Sequence, residues 1–165
     1  MIYLDTSVLL LSLMDQPGAR EATDLILADS SSTLVSSAVI GVETARALRR
    51  TGLPPEAGSR LLDSVTLVRI DDDVLARAAD LTEDLKSLDA IHLATALMLH
   101  SPTDPVTLLT HDHRLTRAAR THGLEVIDPV PSRAERLLLD AGESIAEKSS
   151  AWGRRPQASR IPARV

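Results

Sequence analysis

The chain has 165 residues, enough for one domain with a buried core, and no cysteine, which excludes a disulfide framework and any thiolate metal site. Hydrophobic residues make up 44%, yet no apolar run nears the ~20 residues of a membrane span, and Met1-Ile2-Tyr3-Leu4-Asp5 lacks the basic start of a secretory signal, so a cytoplasmic protein is expected. With no Phe, one Tyr and one Trp, the core must be aliphatic; the net charge of −5, split as −8 over residues 1–142 and +3 over 143–165, excludes nucleic-acid binding through a basic body or aromatic stacking alone.

Met1–Leu4 reads as a strand and Thr6–Met14 as a short helix. Pro17-Gly18 breaks the chain before an amphipathic run, Arg20–Ala28, and Thr33–Val35 is a brief strand. Ser36 and Ser37 are expected to cap a helix over Ala38–Arg50, which Gly52 and Pro54-Pro55 terminate. Glu56–Ser64 reads as a helix and Thr66–Ile70 as a strand. Asp72 and Asp73 open a helix over Val74–Lys86, and Ser87 is expected to cap another over Leu88–His100. Pro102 and Pro105 bound a loop before the strand Val106–Leu109. His113–Thr121 is a helix stopped by Gly123, and Glu125–Ile127 is a final strand. This alternation predicts an α/β fold, a single domain with a central, mostly parallel sheet and helices on both faces. Ser132–Ala141 adds a helix within an extension over 132–148, and the Ser-, Arg- and Pro-rich residues 149–165 form an expected flexible basic tail.

Four carboxylates occupy positions that chemistry could use. Asp5 ends the first strand, Glu43 lies mid-helix, Asp89 sits in the first turn of a helix, and Asp112 follows the fourth strand. Active sites of parallel sheets form beyond the strand carboxyl ends, where Asp5 and Asp112 fall and where helix-borne Glu43 and Asp89 can converge. A plain structural reading stands beside each. Asp5 and Asp112 suit helix N-caps, Asp89 complements a helix dipole, and Glu43 suits a solvated face, although its neighbours Val39 and Ala47 set it beside an apolar row. Convergence would decide between the readings. Two carboxylates about 4 Å apart repel by ~1 kcal/mol in water and ~4 kcal/mol at an effective dielectric near 20, so four together need a cation or a proton. Oxygen-only ligation selects a hard ion, Mg²⁺ or Mn²⁺, of the kind that serves phosphodiester hydrolysis.

The strand running into Asp5-Thr6-Ser7, then Glu43, Leu88-Asp89-Ala90-Ile91-His92-Leu93-Ala94 and Thr110-His111-Asp112 resemble, in order and at intervals of 38, 46 and 23 residues, the PIN-domain family and more closely its VapC toxins. The likeness covers about residues 1–129 and closes on Gly123-Leu124-Glu125-Val126-Ile127-Asp128-Pro129. It implies a nuclease domain over 1–131 in which Asp5, Glu43, Asp89 and Asp112 bind Mg²⁺, with Mn²⁺ able to substitute. Ser7 and Thr110 would be auxiliary hydroxyls beside the first and last acids. The implied activity is that of a type II toxin, an endoribonuclease that cleaves RNA by metal-activated water and leaves 5′-phosphate and 3′-hydroxyl ends. The implied partners are RNA, a second copy in a homodimer, and a VapB-like antitoxin whose C-terminal segment enters the site, with DNA reached only through that antitoxin. The extension past residue 129 and the scarcity of aromatics depart from the family.

Arg46, Arg49 and Arg50 follow Glu43 on one helix, and Arg46 and Arg50 are candidates for RNA phosphates or an antitoxin carboxylate. His92, one turn past Asp89, is a candidate for the same contacts. His111 and His113 lack a HExxH-type pattern and read as loop residues, and Asp71-Asp72-Asp73 reads as helix capping. A haloacid-dehalogenase-like phosphatase needs Asp-x-Asp, and position 7 is Ser7. A receiver domain needs a Lys after a late strand, and the lysines are Lys86 and Lys148. A catalytically silent RNA- or protein-binding module of PIN-like fold stays open at this point.

Overall fold

Strands and helices alternate in the computed structural model, which describes residues 1–27 and 33–130. β1 (Ile2–Leu4) leads into α1 (Thr6–Leu13) and α2 (Ala19–Leu27), and β2 (Leu34–Ser37) into α3 (Val39–Thr51) and α4 (Pro55–Leu62). β3 (Thr66–Val68) leads into α5 (Asp72–Ala79) and α6 (Ser87–Leu99), β4 (Thr107–Leu109) into α7 (His113–Thr121), and β5 (Glu125–Ile127) follows. The strands form one sheet in the order β3-β2-β1-β4-β5. Every pairing is parallel, because each connection carries at least one helix that returns the chain to the starting edge.

Side chains alternate across this sheet and build a core on each face. Tyr3, Val35 and Leu108 pack on one face with Leu93 and Ala96 of α6 and with Leu115, Ala118 and Ala119 of α7. Leu4 and Leu109 pack on the other with Val8, Leu9 and Leu11 of α1, Ala22 and Ile26 of α2, and Ile40 of α3. Each fully buried aliphatic side chain contributes about 1.5–3 kcal/mol, so the aliphatic composition suffices for the core. Tyr3 is the aromatic exception and has no exposed surface.

Three local expectations give way to tertiary structure. Both serines extend β2, pairing with Leu67 and Val68; Ser36 Oγ turns away from α3 and donates to the Leu4 carbonyl at 2.6 Å, and of the expected capping there is only a long bond at 3.4 Å, accepted by Ser37 Oγ from the Val39 N–H. Ala38 holds the N-cap position, where its own side chain offers no acceptor, and Gly52 closes the helix in the left-handed conformation at φ 70°, as its sequence position predicts. The expected helix to Lys86 ends at Ala79. Glu83 is drawn to α7, where His122 Nε2 lies 2.7 Å from its Oε1, and Leu81 and Leu85 join the core from the intervening loop. Ser87 is accordingly the first residue of α6, and Lys86 holds its cap position. Asp71 caps α5 by accepting from the Val74 N–H at 3.0 Å.

Met1–Val130 forms one compact unit. The expected helix 132–141, the extension 132–148 and the tail 149–165 lie outside the described residues. Among the described residues no helix is long and apolar enough to cross a membrane.

Candidate active site

The strand order reverses between β1 and β4, and the register sets Leu4 opposite Leu109. The chain therefore leaves the two strands side by side, the position where parallel sheets open a crevice. The Asp5 N–H donates to the Leu109 carbonyl at 3.0 Å. Above that bond, Thr110 Oγ1 donates to Asp5 Oδ2 at 2.8 Å and Ser7 Oγ donates to the same oxygen at 2.5 Å. The His111 N–H in turn donates to Ser7 Oγ at 2.9 Å, and the Asp112 N–H donates to Thr110 Oγ1 at 3.0 Å.

Asp5 and Asp112 are both helix N-caps. Asp5 Oδ2 accepts from the Ser7 N–H at 3.3 Å, and Asp112 Oδ1 accepts from the Arg114 and Leu115 N–H groups at 2.7 and 2.9 Å. Each cap engages one oxygen of its carboxylate, so capping and a role in the crevice coexist. Glu43 reaches the same place from α3, where buried Val39 and Ala47 hold its helix face against the domain. Thr6 Oγ1 and His92 Nε2 bond Glu43 Oε2 at 2.5 and 2.9 Å. Asp89 arrives from the first turn of α6, and its Oδ2 is buried with no hydrogen-bond partner among the described residues.

These side chains wall an open pocket of about 250 Å³ lined by Asp5, Ser7, Glu43, Asp89 and Asp112, with Thr6, Leu10 and Leu88 between them and Arg46 and Arg50 on its rim. The electrostatics follow from that crowding. Burial first, then the charges of Asp112 and Asp5, raise the Asp89 carboxyl above its ordinary range, with Lys86 offsetting part of the rise. Burial also works to raise Glu43, but the bonds from His92 and Thr6 outweigh it and hold that carboxyl low. At His92 burial opposes the imidazolium, while the bond to Glu43 and the charge of Asp5 prevail and raise its pKa.

The donor set suits a hard cation. All the available ligands are carboxylate or hydroxyl oxygens, and the orphaned Asp89 oxygen lies among like charges that a cation would relieve. Among the described residues no three acids or histidines form a ready-made cage.

The PIN-domain family model matches residues 2–121, a span that contains all four acids. This chain belongs to the PIN-domain family. Ribonuclease VapC46 of Mycobacterium tuberculosis is 39% identical over 130 residues, covering 78% of this chain and 97% of that protein. Ribonuclease VapC35 of the same species is 34% identical over 137 residues, covering 81% and 100%. Among solved structures, a toxin–antitoxin complex from Klebsiella pneumoniae contains a chain with TM-score 0.59 and 21% identity, covering 78% of this chain and 98% of that one. The VapBC-1 structure from nontypeable Haemophilus influenzae gives TM-score 0.59 at 17% identity, covering 79% and 100%. At such identities the structures establish a shared fold.

Within this PIN domain the pocket brings together Asp5, Ser7, Glu43, Asp89, Asp112, Arg46 and Arg50, with Thr110 fully buried behind Asp5. Arg49, on the same helix, is not part of the wall. His92 is a correction: with no exposed surface it reaches Glu43 from behind and is closed off from a substrate or partner at the pocket mouth. His111 is fixed by Asp128, its Nδ1 2.9 Å from Oδ1, outside the pocket wall. Sequence reasoning passed over Thr6 and Tyr3. The only signal for Thr6 was its place between Asp5 and Ser7, and Tyr3 carried none beyond being the lone Tyr on a buried strand.

Proposed function

We propose that the protein is a metal-dependent endoribonuclease, the toxin of a type II toxin–antitoxin pair. The observation that carries this reading is the convergence of four carboxylates and two arginines on one open pocket at the strand-order reversal of a PIN domain. The relatives named as VapC ribonucleases and the toxin–antitoxin complexes that share the fold support it.

Asp5, Asp89, Asp112 and Glu43 would hold Mg²⁺ or Mn²⁺, which when bound neutralises phosphate charge and activates water for attack on phosphorus. Ser7 and Thr110 orient Asp5 by donating to its Oδ2, and they leave Oδ1 outside those bonds. Arg46 and Arg50, which line the pocket, would engage RNA phosphates, a role that matters because the body of the chain is acidic. The same arginines offer a counter-charge to the carboxylates of a VapB-like antitoxin segment entering the pocket. Leu10 and Leu88 supply the apolar part of the wall.

The test is cleavage of a labelled RNA in Mg²⁺, Mn²⁺ and EDTA by wild type, Asp5→Asn and Glu43→Gln. Metal support of this kind amounts to several kcal/mol, so each variant and the EDTA sample should lose about a hundredfold or more in rate while circular dichroism stays native. Cleavage undiminished in EDTA would sink the metal mechanism. Growth arrest on expression, relieved by co-expressing a small antitoxin-like protein if the adjacent upstream gene encodes one, tests the toxin half of the reading.

A further inference from the structure

Behind Glu43 runs a buried chain of hydrogen bonds that substrate cannot touch. The Ser37 N–H donates to the Tyr3 hydroxyl oxygen at 3.0 Å, that hydroxyl lies 3.0 Å from His92 Nδ1, and His92 Nε2 lies 2.9 Å from Glu43 Oε2. Tyr3 and His92 are both fully buried, and their rings meet edge to face at 5.9 Å and 86°. The direction of the chain follows from its ends. A carboxylate only accepts, so Nε2 must carry the proton it shares with Glu43. The Tyr3 oxygen accepts from the Ser37 N–H, and in the neutral ring its O–H donates to Nδ1, which keeps the one ring proton on Nε2; in the imidazolium both nitrogens carry protons and Nε2 still faces Glu43.

We propose that His92 is a positioning residue for Glu43, with Tyr3 setting its tautomer, so that the sheet backbone at Ser37 fixes the carboxylate that the pocket presents; this rests on the reading of Glu43 as a cation-facing acid. Glu43 needs such a support. It stands on α3, away from the strand ends that anchor Asp5, and its side chain remains 20% exposed. Thr6 Oγ1 and His92 Nε2 both bond Oε2, which stops rotation about the end of a long side chain and leaves Oε1 outside the pair. Outer hydrogen-bond partners of metal-binding side chains act in this way, and their removal typically costs about 10–100-fold in metal affinity or activity.

The experiment compares wild type, Tyr3→Phe, His92→Gln and His92→Leu in the full chain by ¹⁵N-histidine NMR without metal, by Mn²⁺ binding with electron paramagnetic resonance, and by RNA cleavage. In wild type the His92 ring should show a protonated Nε2. Tyr3→Phe should raise the share of rings protonated at Nδ1 instead. His92→Leu should weaken Mn²⁺ binding about tenfold or more, and His92→Gln, whose amide can donate from the same place, should recover to within about threefold of wild type. If His92→Leu does not fold, Tyr3→Phe carries the comparison, with an expected loss of at least about threefold. A bare Nε2 in wild type overturns the positioning role, as does a folded His92→Leu or Tyr3→Phe that binds Mn²⁺ like wild type. A wild type with protonated Nε2 that takes up no Mn²⁺ and cleaves no RNA overturns the metal-nuclease reading itself, so the two failures are told apart.

Discussion

Thr110 Oγ1 donates to Asp5 Oδ2 at 2.8 Å, joining residues 105 positions apart at the carboxyl ends of β4 and β1. The bond exists because Leu4 and Leu109 are register partners in a parallel pairing, which delivers the next residue of each strand to the same edge. The same hydroxyl accepts from the Asp112 N–H at 3.0 Å, so one buried oxygen orders two of the four pocket acids.

Thr110→Val should therefore disturb more than its volume implies. It removes a charge-assisted bond to Asp5 and leaves the Asp112 N–H short of an acceptor, a cost of about 2 kcal/mol. A change of that size corresponds to a fall of roughly 5–10 °C in Tm for a domain near this length. RNA cleavage should fall as well, and Thr110→Ser should restore both. Equal melting of Thr110→Val and wild type would mean that the bond has no weight in folding.

Asp89→Asn tests the crowding of the carboxylates. Burial and the charges of Asp112 and Asp5 raise the Asp89 carboxyl, so its folded-state pKa lies above the unfolded value. For an acid this means that the ionised form destabilises the metal-free fold at neutral pH. The penalty fades as pH falls through the folded-state pKa and is gone near the unfolded value of about 4. In EDTA at neutral pH the variant should melt at or slightly above wild type, with the difference closing on acidification, and it should gain less from Mg²⁺. A slightly lower Tm in both conditions would reduce Asp89 to a residue that complements the α6 dipole.

What could be read before folding was what is local. An Asp between a strand and a helix leaves a signature over three or four residues, and so Asp5 and Asp112 stood out. Glu43 betrayed itself through its helical neighbours Val39 and Ala47. The parallel sheet followed from alternation alone. The support beneath the site was hidden because it is long-range. Tyr3 and His92 lie 89 positions apart, and Thr6 and Glu43 lie 37 apart. The same reason explains the errors. Ser36 and Ser37 carry a capping signature, yet pairing with β3 and the Ser36 bond to Leu4 leave only the long bond from the Val39 N–H to Ser37 Oγ. The stretch after Ala79 has helical spacing, yet Glu83 is taken by His122.

Gly58 of α4 marks a close approach to the helix that carries Glu43. A Cβ there would lie 2.8 Å from Thr44 Cγ2 and 2.9 Å from Leu48 Cδ1, both on buried residues of α3. In an open helix Ala gains about 0.5–1 kcal/mol over Gly. Overpacking a tight contact costs about 1–3 kcal/mol, so Gly58→Ala should be destabilising by roughly 1 kcal/mol. Thermal melts decide it, since a raised Tm would show that the α3–α4 contact has slack.

The three arginines of α3 look equivalent in sequence and are not equivalent in space. All three are exposed, but Arg46 and Arg50, one turn apart on the Glu43 side, line the pocket and Arg49 stands outside its wall. If the two rim arginines hold RNA phosphates, each contact releases a counterion. Removing one should then flatten the log–log dependence of affinity on salt by about 0.7 on a single strand. The measurement is binding of a short labelled RNA, over a range of salt, to protein kept from cutting by Asp5→Asn. Arg46→Ala and Arg50→Ala should each show the flatter slope and weaker binding, and Arg49→Ala should keep the parent slope. The comparison separates a contact from a field. A general positive field along α3 would make the three variants alike, because every arginine would add to it from a similar distance. Loss confined to Arg46 and Arg50 requires that the strand pass along the pocket rim beside Glu43. Equal slopes in all three variants would remove the rim arginines from the RNA path.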